Sequence, residues 1–279
     1  INGLFLSFSY MIIFVVERIF GFTSTVTMVE LTDINNPLLR KLSESCPGTF
    51  QHSMQVASIA AEAAHKIGAN VQLVRAGALY HDIGKIKSPN FFTENQRGVN
   101  PHDLLTPQQS AEIVIRHVSD GLKLADKEKL PQVIKDFIEQ HHGCGLTRYF
   151  YTQACNQNPG VEIDPEPFTY PGPNPQTREA AILMMADATE AASKSITTYT
   201  TEALSALVEK IINGQIADGL LRDAPISFRD VELIKRTFIE RLAAFYHMRV
   251  AYPEAIKPVI QKKVEEEEEV PVDEHQPND

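Results

Sequence analysis

The chain opens on an almost purely apolar run, Ile1 to Val16, which Glu17 and Arg18 interrupt. At about 1.5 Å per residue this run spans roughly 24 Å, a little short of the ~30 Å hydrocarbon core of a bilayer. It lacks the polar face of an amphipathic core helix. No basic segment precedes it and no small-residue cleavage site follows it, as a signal peptide would require. Residues 1–20 are therefore expected to be the end of a transmembrane helix whose first residues lie upstream of Ile1. Residues 21–46 read as a connector: GFTSTVTMVEL alternates β-branched positions, and DINNPLLRKL carries a proline and a short helix. From Pro47 to about residue 255 the apolar spacing is helical, which predicts an all-α domain. One long stretch between Gly143 and Thr177, rich in Pro and Gly, is expected to be non-helical. Beyond it, KKVEEEEEVPVDEHQPND combines like charges with prolines and predicts a disordered acidic tail over 256–279.

The helical period aims particular polar residues inward. In HSMQVASIAAEAAHKIG, the residues Val56, Ile59, Ala60, Ala63, Ala64 and Ile67 recur at three- and four-residue steps behind His52, and Gly68 supplies the stop. A second helix begins near Asn70 and places Val74, Ala78 and His81 on one face. Thr106-Pro107-Gln108-Gln109 offers an N-cap, a proline at the first helical position and a capping-box glutamine. The helix it opens carries Ile113, Val114 and His117 on one face. Ile134, Phe137, Ile138 and His141 line another, and Ala180, Leu183, Met184, Asp187 and Ala191 a later one.

Charge and composition narrow the chemistry. A formal net charge of -10 without a concentrated Lys/Arg stripe argues against duplex nucleic acid. A small anionic substrate stays open if metal ions supply the positive charge. Cys46, Cys144 and Cys155 form no CxxC pair and read as isolated thiols in a reducing compartment, the cytoplasm. A lone histidine on an apolar face is more often a packing residue than a ligand. Carboxylates such as Asp82 and Asp187, however, are costly to bury ionised without a partner, and a cation satisfies both. Imidazole and carboxylate donors without thiolate suit iron or manganese better than a structural zinc. His52, His81, Asp82, His117, His141, His142 and Asp187 are more candidates than one ion takes. Two divalent transition metal ions are expected, with Asp82 bridging them as the central catalytic side chain.

Tyr80-His81-Asp82-Ile83-Gly84-Lys85 has the form of the HDxxK signature. In order along the chain stand PGTFQHS, FFTENQ, NPHD, EQHHG, YPGPNPQTREAAI and MADATEAA. Together they resemble the bacterial seven-transmembrane HD phosphodiesterases of the PgpH type, over nearly everything from Glu17 to Glu254. The resemblance implies an all-helical HD-domain bundle over 47–255 and hydrolysis of cyclic di-AMP to linear pApA, with AMP following only after a second cleavage. It implies a first metal on His52, His81, Asp82 and Asp187, and a second on Asp82, His117, His141 and His142. It also implies a cyclic dinucleotide as partner, and attachment to the inner membrane with the catalytic domain in the cytoplasm. A homodimer is compatible with it. The family's extracellular segment and further membrane helices have no counterpart in these residues.

Substrate contacts are less determined. Lys85 either adds charge beside a substrate phosphate, as a catalytic residue, or pairs with an acidic neighbour. Glu94 and Asn95 lie in a polar loop that contacts a nucleobase or covers the site. Tyr149, with Phe150 and Tyr151, stacks on adenine or packs, and Arg178 meets a phosphate or stands solvated at a helix start. His65 and His247 receive no role, and His102-Asp103 reads as a turn before Thr106. Hydrolysis of cyclic di-GMP by the HD-GYP class is disfavoured because HHGCGLTRYFY lacks a GYP element. Hydrolysis of ppGpp or a dNTP is disfavoured by the full ligand set. A non-catalytic nucleotide sensor would need a damaged metal shell, and none is visible.

Overall fold

Packing of apolar helical stripes organises the chain, and the computed structural model describes residues 11–13, 15–17, 19, 23–197 and 199–247. Two helices stand in the segment expected to be a connector. Helix α1 (Thr25–Leu31) is capped by Ser24, whose side chain accepts from the Thr27 N–H, and it buries Met28 and Leu31. Helix α2 (Pro37–Ser45), capped by Asn36, buries Leu38, Leu39 and Leu42. The β-branched alternation of this segment yields to a helix because Met28 and Leu31, three residues apart, both reach the main core.

Helix α3 (Pro47–Ile67) is the centre of the bundle and stops at Gly68, whose φ of 68° lies in the left-handed region that favours glycine. It packs against α4 (Val71–Tyr80), α8 (Arg178–Ser193) and α10 (Phe228–His247). Its Ala60, Ala63 and Ala64, with Ala180, Ala181 and Ala186 of α8, are small enough to bring the helices close together. Helix α5 (Pro107–Lys127) begins with the anticipated capping box between Thr106 and Gln109, and α6 (Gln132–Gln140) follows it. Helix α9 (Thr201–Ala217) covers one side of α8.

Helix α7 (Arg148–Gln157) stands inside the stretch expected to be non-helical. There Ala154, flanked by Phe150 and Tyr151, packs with Ala111 of α5 and Phe168 in a small second core. The Pro-rich signals behind the expectation begin only at Pro159. The expected membrane-helix end at 1–20 falls largely outside the described residues, and the expected tail at 256–279 wholly so. Among the described residues no helix is long and apolar enough to cross a membrane.

Candidate metal centre

Five helices and one turn converge on the site. His81 closes α4, and a tight 3-10 turn, Ile83–Lys87, follows directly after Asp82. Gly84 allows that turn to lie flush on α5: a Cβ there would stand 1.8 Å from the His117 carbonyl oxygen and 2.6 Å from the Gly121 nitrogen. No side chain other than hydrogen fits, and the contact sets Asp82 beside His117. His52 of α3 faces Asp187 of α8, and His141 and His142 close α6.

Asp82 divides its two oxygens between two groups of donors. Oδ2 lies 3.2 Å from His81 Nε2 and 3.8 Å from His52 Nε2. Oδ1 lies 3.3 Å from His117 Nε2 and 3.8 Å from His141 Nε2. Asp187 Oδ1 completes the first group, 2.9 Å from His52 Nε2 and 3.7 Å from His81 Nε2. His142 completes the second: its ring stacks on Tyr170 with centroids 4.2 Å apart and lies 4.0 Å from the His141 ring.

Three of the rings have their tautomer set by the backbone. Nδ1 of His81, His117 and His141 donates to the carbonyls of Ala78, Val114 and Ile138, at 2.7, 2.6 and 2.8 Å. A carbonyl only accepts, so each Nδ1 carries the proton and a neutral ring presents a bare Nε2. The Nε2 atoms of His117 and His141 then face each other 3.1 Å apart. Lone pairs so placed repel unless a cation lies between them. His81 Nε2 and Asp82 Oδ1 are likewise buried without a hydrogen-bond partner. Unpartnered buried polar atoms are rare and costly. The imidazole and carboxylate donor set fits divalent metal ions.

The two halves of the site differ electrostatically. In the first, with no cation in place, burial works against protonation, but Asp82 and Asp187 outweigh it and push His81 up to about 10; a cation at Nε2 takes the place of that proton. Burial also opposes protonation of His52, and Asp187 and Glu190 raise it nonetheless. In the second half burial prevails, reinforced by neighbouring rings. His117 is lowered, His141 stands well below the usual imidazole range, and His142 falls to about 3. Against burial, Lys85 and His81 hold Asp82 well below the usual carboxylate range, as His52 and His81 do for Asp187.

The family model of the HD domain matches residues 49–192, which include all seven of these side chains. The chain belongs to the HD-domain family. It is 44% identical over 240 residues to the cyclic-di-AMP phosphodiesterase PgpH of Listeria monocytogenes, a match covering 85% of this chain and 33% of that protein. The PgpH of Bacillus subtilis is 42% identical over 244 residues, covering 87% and 34%. The chain thus spans about a third of the length of these curated relatives. The crystal structure of the L. monocytogenes PgpH HD domain in complex with cyclic-di-AMP is similar, with TM-score 0.73 and 42% identity, over 78% of this chain and 100% of that one.

In this HD domain a cleft of about 1060 Å³ opens over the centre, with Phe92, Tyr170 and Leu146 among its apolar walls and Lys194, Lys210 and Arg148 among its cations. Lys85 and Glu94 line it too. Lys85 Nζ sits 2.8 Å from Asp82 Oδ2 and 2.9 Å from Glu94 Oε1, so it pairs with acidic neighbours. Asn95 acts as a clasp: its Oδ1 accepts from the Gly48 and Thr49 N–H groups at the start of α3, and its Nδ2 donates to Thr49 Oγ1. Tyr149 and Arg178 stand apart from the cleft. Tyr149 is 74% exposed and lines a separate surface depression along α7. Arg178 donates to the Ile67 carbonyl at 2.6 Å and pairs with Asp230 at 3.5 Å, tying the start of α8 to the end of α3.

Sequence reasoning missed Glu190. It is 2% exposed, accepts from His52 Nδ1, and lies 3.0 Å from Lys194 Nζ. Its spacing of three residues from Asp187, on the same helix face, was the available signal.

Proposed function

We propose that this HD domain is a two-metal phosphodiesterase that opens cyclic di-AMP to linear pApA. The observation that carries the reading is the division of Asp82, one oxygen toward each of two histidine groups. His52, His81, Asp82 and Asp187 hold the first ion. Asp82, His117, His141 and His142 hold the second, with iron or manganese preferred by the nitrogen and oxygen donors. Such a pair of cations supplies Lewis acidity and a water of lowered pKa.

The chain's own residues do the rest. Buried backbone carbonyls fix the rings, Lys85 balances the charge of Asp82 and Glu94, and the apolar walls limit water. Adding water across one P–O3′ bond of the cyclic substrate leaves a 5′-phosphate and a free 3′-hydroxyl, which is pApA. A cleft of about 1060 Å³ lies at the upper end of the ~300–1,000 Å³ typical of small-molecule sites, a size suited to a dinucleotide. The structural similarity to an HD domain solved with cyclic-di-AMP supports the same substrate. We further propose that residues 1–20 tie the native protein to a membrane, with the HD domain on the cytoplasmic side.

The test is hydrolysis of cyclic di-AMP, cyclic di-GMP and ppGpp side by side, with Mn²⁺ or Fe²⁺ added after chelation. Conversion of cyclic di-AMP to pApA at a rate well above the other two is expected. Preference for either of the others, or full activity in the chelated protein, refutes the reading.

A further inference from the structure

His52 differs from the other metal-site histidines in what orients it. His81, His117 and His141 each give their Nδ1 proton to a backbone carbonyl three residues earlier in their own segment. His52 instead meets the carboxylate of Glu190, which reaches across from α8, 138 positions away in sequence. Glu190 is itself held by Lys194 Nζ at 3.0 Å, one helical turn further along. Its carboxylate and the His52 ring are almost completely buried, at 2% and 4% exposure.

A carboxylate behind an imidazole does two things that a neutral carbonyl does less well. It fixes the tautomer, leaving Nε2 bare toward Asp187 and Asp82, and it raises the electron density that Nε2 can give to a cation. It also sets a carboxylate, partly balanced by the Lys194 ammonium, behind only one of the two ion positions. The first half of the site then holds Asp187, Glu190 and a share of Asp82, whereas the second has three histidines and the other share of Asp82. Asp187 and Glu190 lie three residues apart on one face of α8, so a single rigid helix sets both the direct ligand and the orienting carboxylate.

We infer that Glu190 is a positioning residue for the first metal site alone, acting through His52 and making that site the tighter of the two, an assignment that rests on the two-metal reading above. Glu190→Gln keeps the shape and an acceptor oxygen but removes the charge. Removing an orienting partner of this kind typically weakens metal binding by about 10- to 100-fold.

The full chain, stripped of metal, is titrated with Mn²⁺ and read by equilibrium dialysis with elemental analysis and by electron paramagnetic resonance. In the wild type, two ions are expected. In Glu190→Gln, one ion should bind at the wild-type second-site concentration and the other only at about 10- to 100-fold more free Mn²⁺. An isolated-ion signal should therefore persist where the wild type already gives the signal of a coupled pair. Excess Mn²⁺ should restore the pair. Thermal unfolding of the metal-free proteins separates this from a merely structural role, which would lower the unfolding temperature and leave both binding midpoints in place. If Glu190→Gln fails to fold, Glu190→Asp, which keeps the charge with a shorter reach, should shift the same single midpoint by a smaller factor. Equal shifts at both sites, or none, overturn the assignment. No substrate is present in this titration, so a wrong substrate leaves the inference standing, whereas a wild type holding fewer than two ions overturns it together with the two-metal reading.

Discussion

Gly84→Ala tests whether close backbone approach, and not only ligand identity, builds the centre. The added Cβ would stand 1.8 Å from the His117 carbonyl oxygen, and an ordinary contact begins near 3.4 Å. The obstacle is backbone in α5, so no side chain can swing aside; the turn and α5 must separate by about 1.6 Å. His117 Nε2 and Asp82 Oδ1, now 3.3 Å apart, sit on the two sides of that seam. Donor groups of a metal site must be held to within ~0.5 Å, so a separation of this size would disable the proposed second ion position while leaving all seven side chains chemically intact. Overpacking of this kind costs about 1–3 kcal/mol of stability. A misplacement of ~1 Å near a reacting centre costs on the order of 10²-fold in rate. The variant is to be compared with wild type in urea unfolding, Mn²⁺ stoichiometry and cyclic di-AMP hydrolysis followed by chromatography. A Gly84→Ala protein with the wild-type unfolding midpoint, two bound ions and turnover within about threefold of wild type would refute the reasoning.

Three further outcomes follow from the same geometry. On the two-metal reading proposed above, Asp82→Asn and Asp82→Ala should each lose cyclic di-AMP hydrolysis on the order of 10³-fold, equivalent to about 4 kcal/mol, because that reading has both ions share this side chain; a folded variant within tenfold of wild type and still carrying both ions contradicts the bridging role. Arg178→Met should lower stability by roughly 1–3 kcal/mol in urea unfolding through loss of its bonds to Ile67 and Asp230, with KM for cyclic di-AMP within about twofold of wild type. A large rise in KM at unchanged stability would return Arg178 to the substrate. Gly214→Ala, inside α9 where a Cβ would meet nothing within 4 Å, should raise stability by about 0.5–1 kcal/mol, and a loss on denaturation would show that the open space is not there.

Local chemistry was legible wherever cause and effect lay within a few residues. The Thr106 to Gln109 capping box and the left-handed stop at Gly68 involve neighbours in sequence, so their residue types alone predict them. The inward placement of His52, His117, His141 and Asp187 followed from helical period, since a stripe of apolar side chains fixes which face is buried. Helix α1 was misread because β-branched alternation and helical spacing coexist in the same residues. Helix α7 was misread because the proline signals beyond it were extended over the whole segment.

The roles of Asn95, Arg178 and Glu190 could not be read locally, because their partners lie 46 and 47, 111, and 138 positions away. The same holds for the Asp82 carboxylate. Helical period alone implied that a carboxylate would be buried among histidines. That one of its oxygens meets His81 and the other His117 depends on long-range packing, with the turn after α4 lying against α5 at Gly84. Side-chain period is set by the backbone within each helix, whereas distances between donors are set by how closely separate helices pack, and small residues at their crossings control that distance.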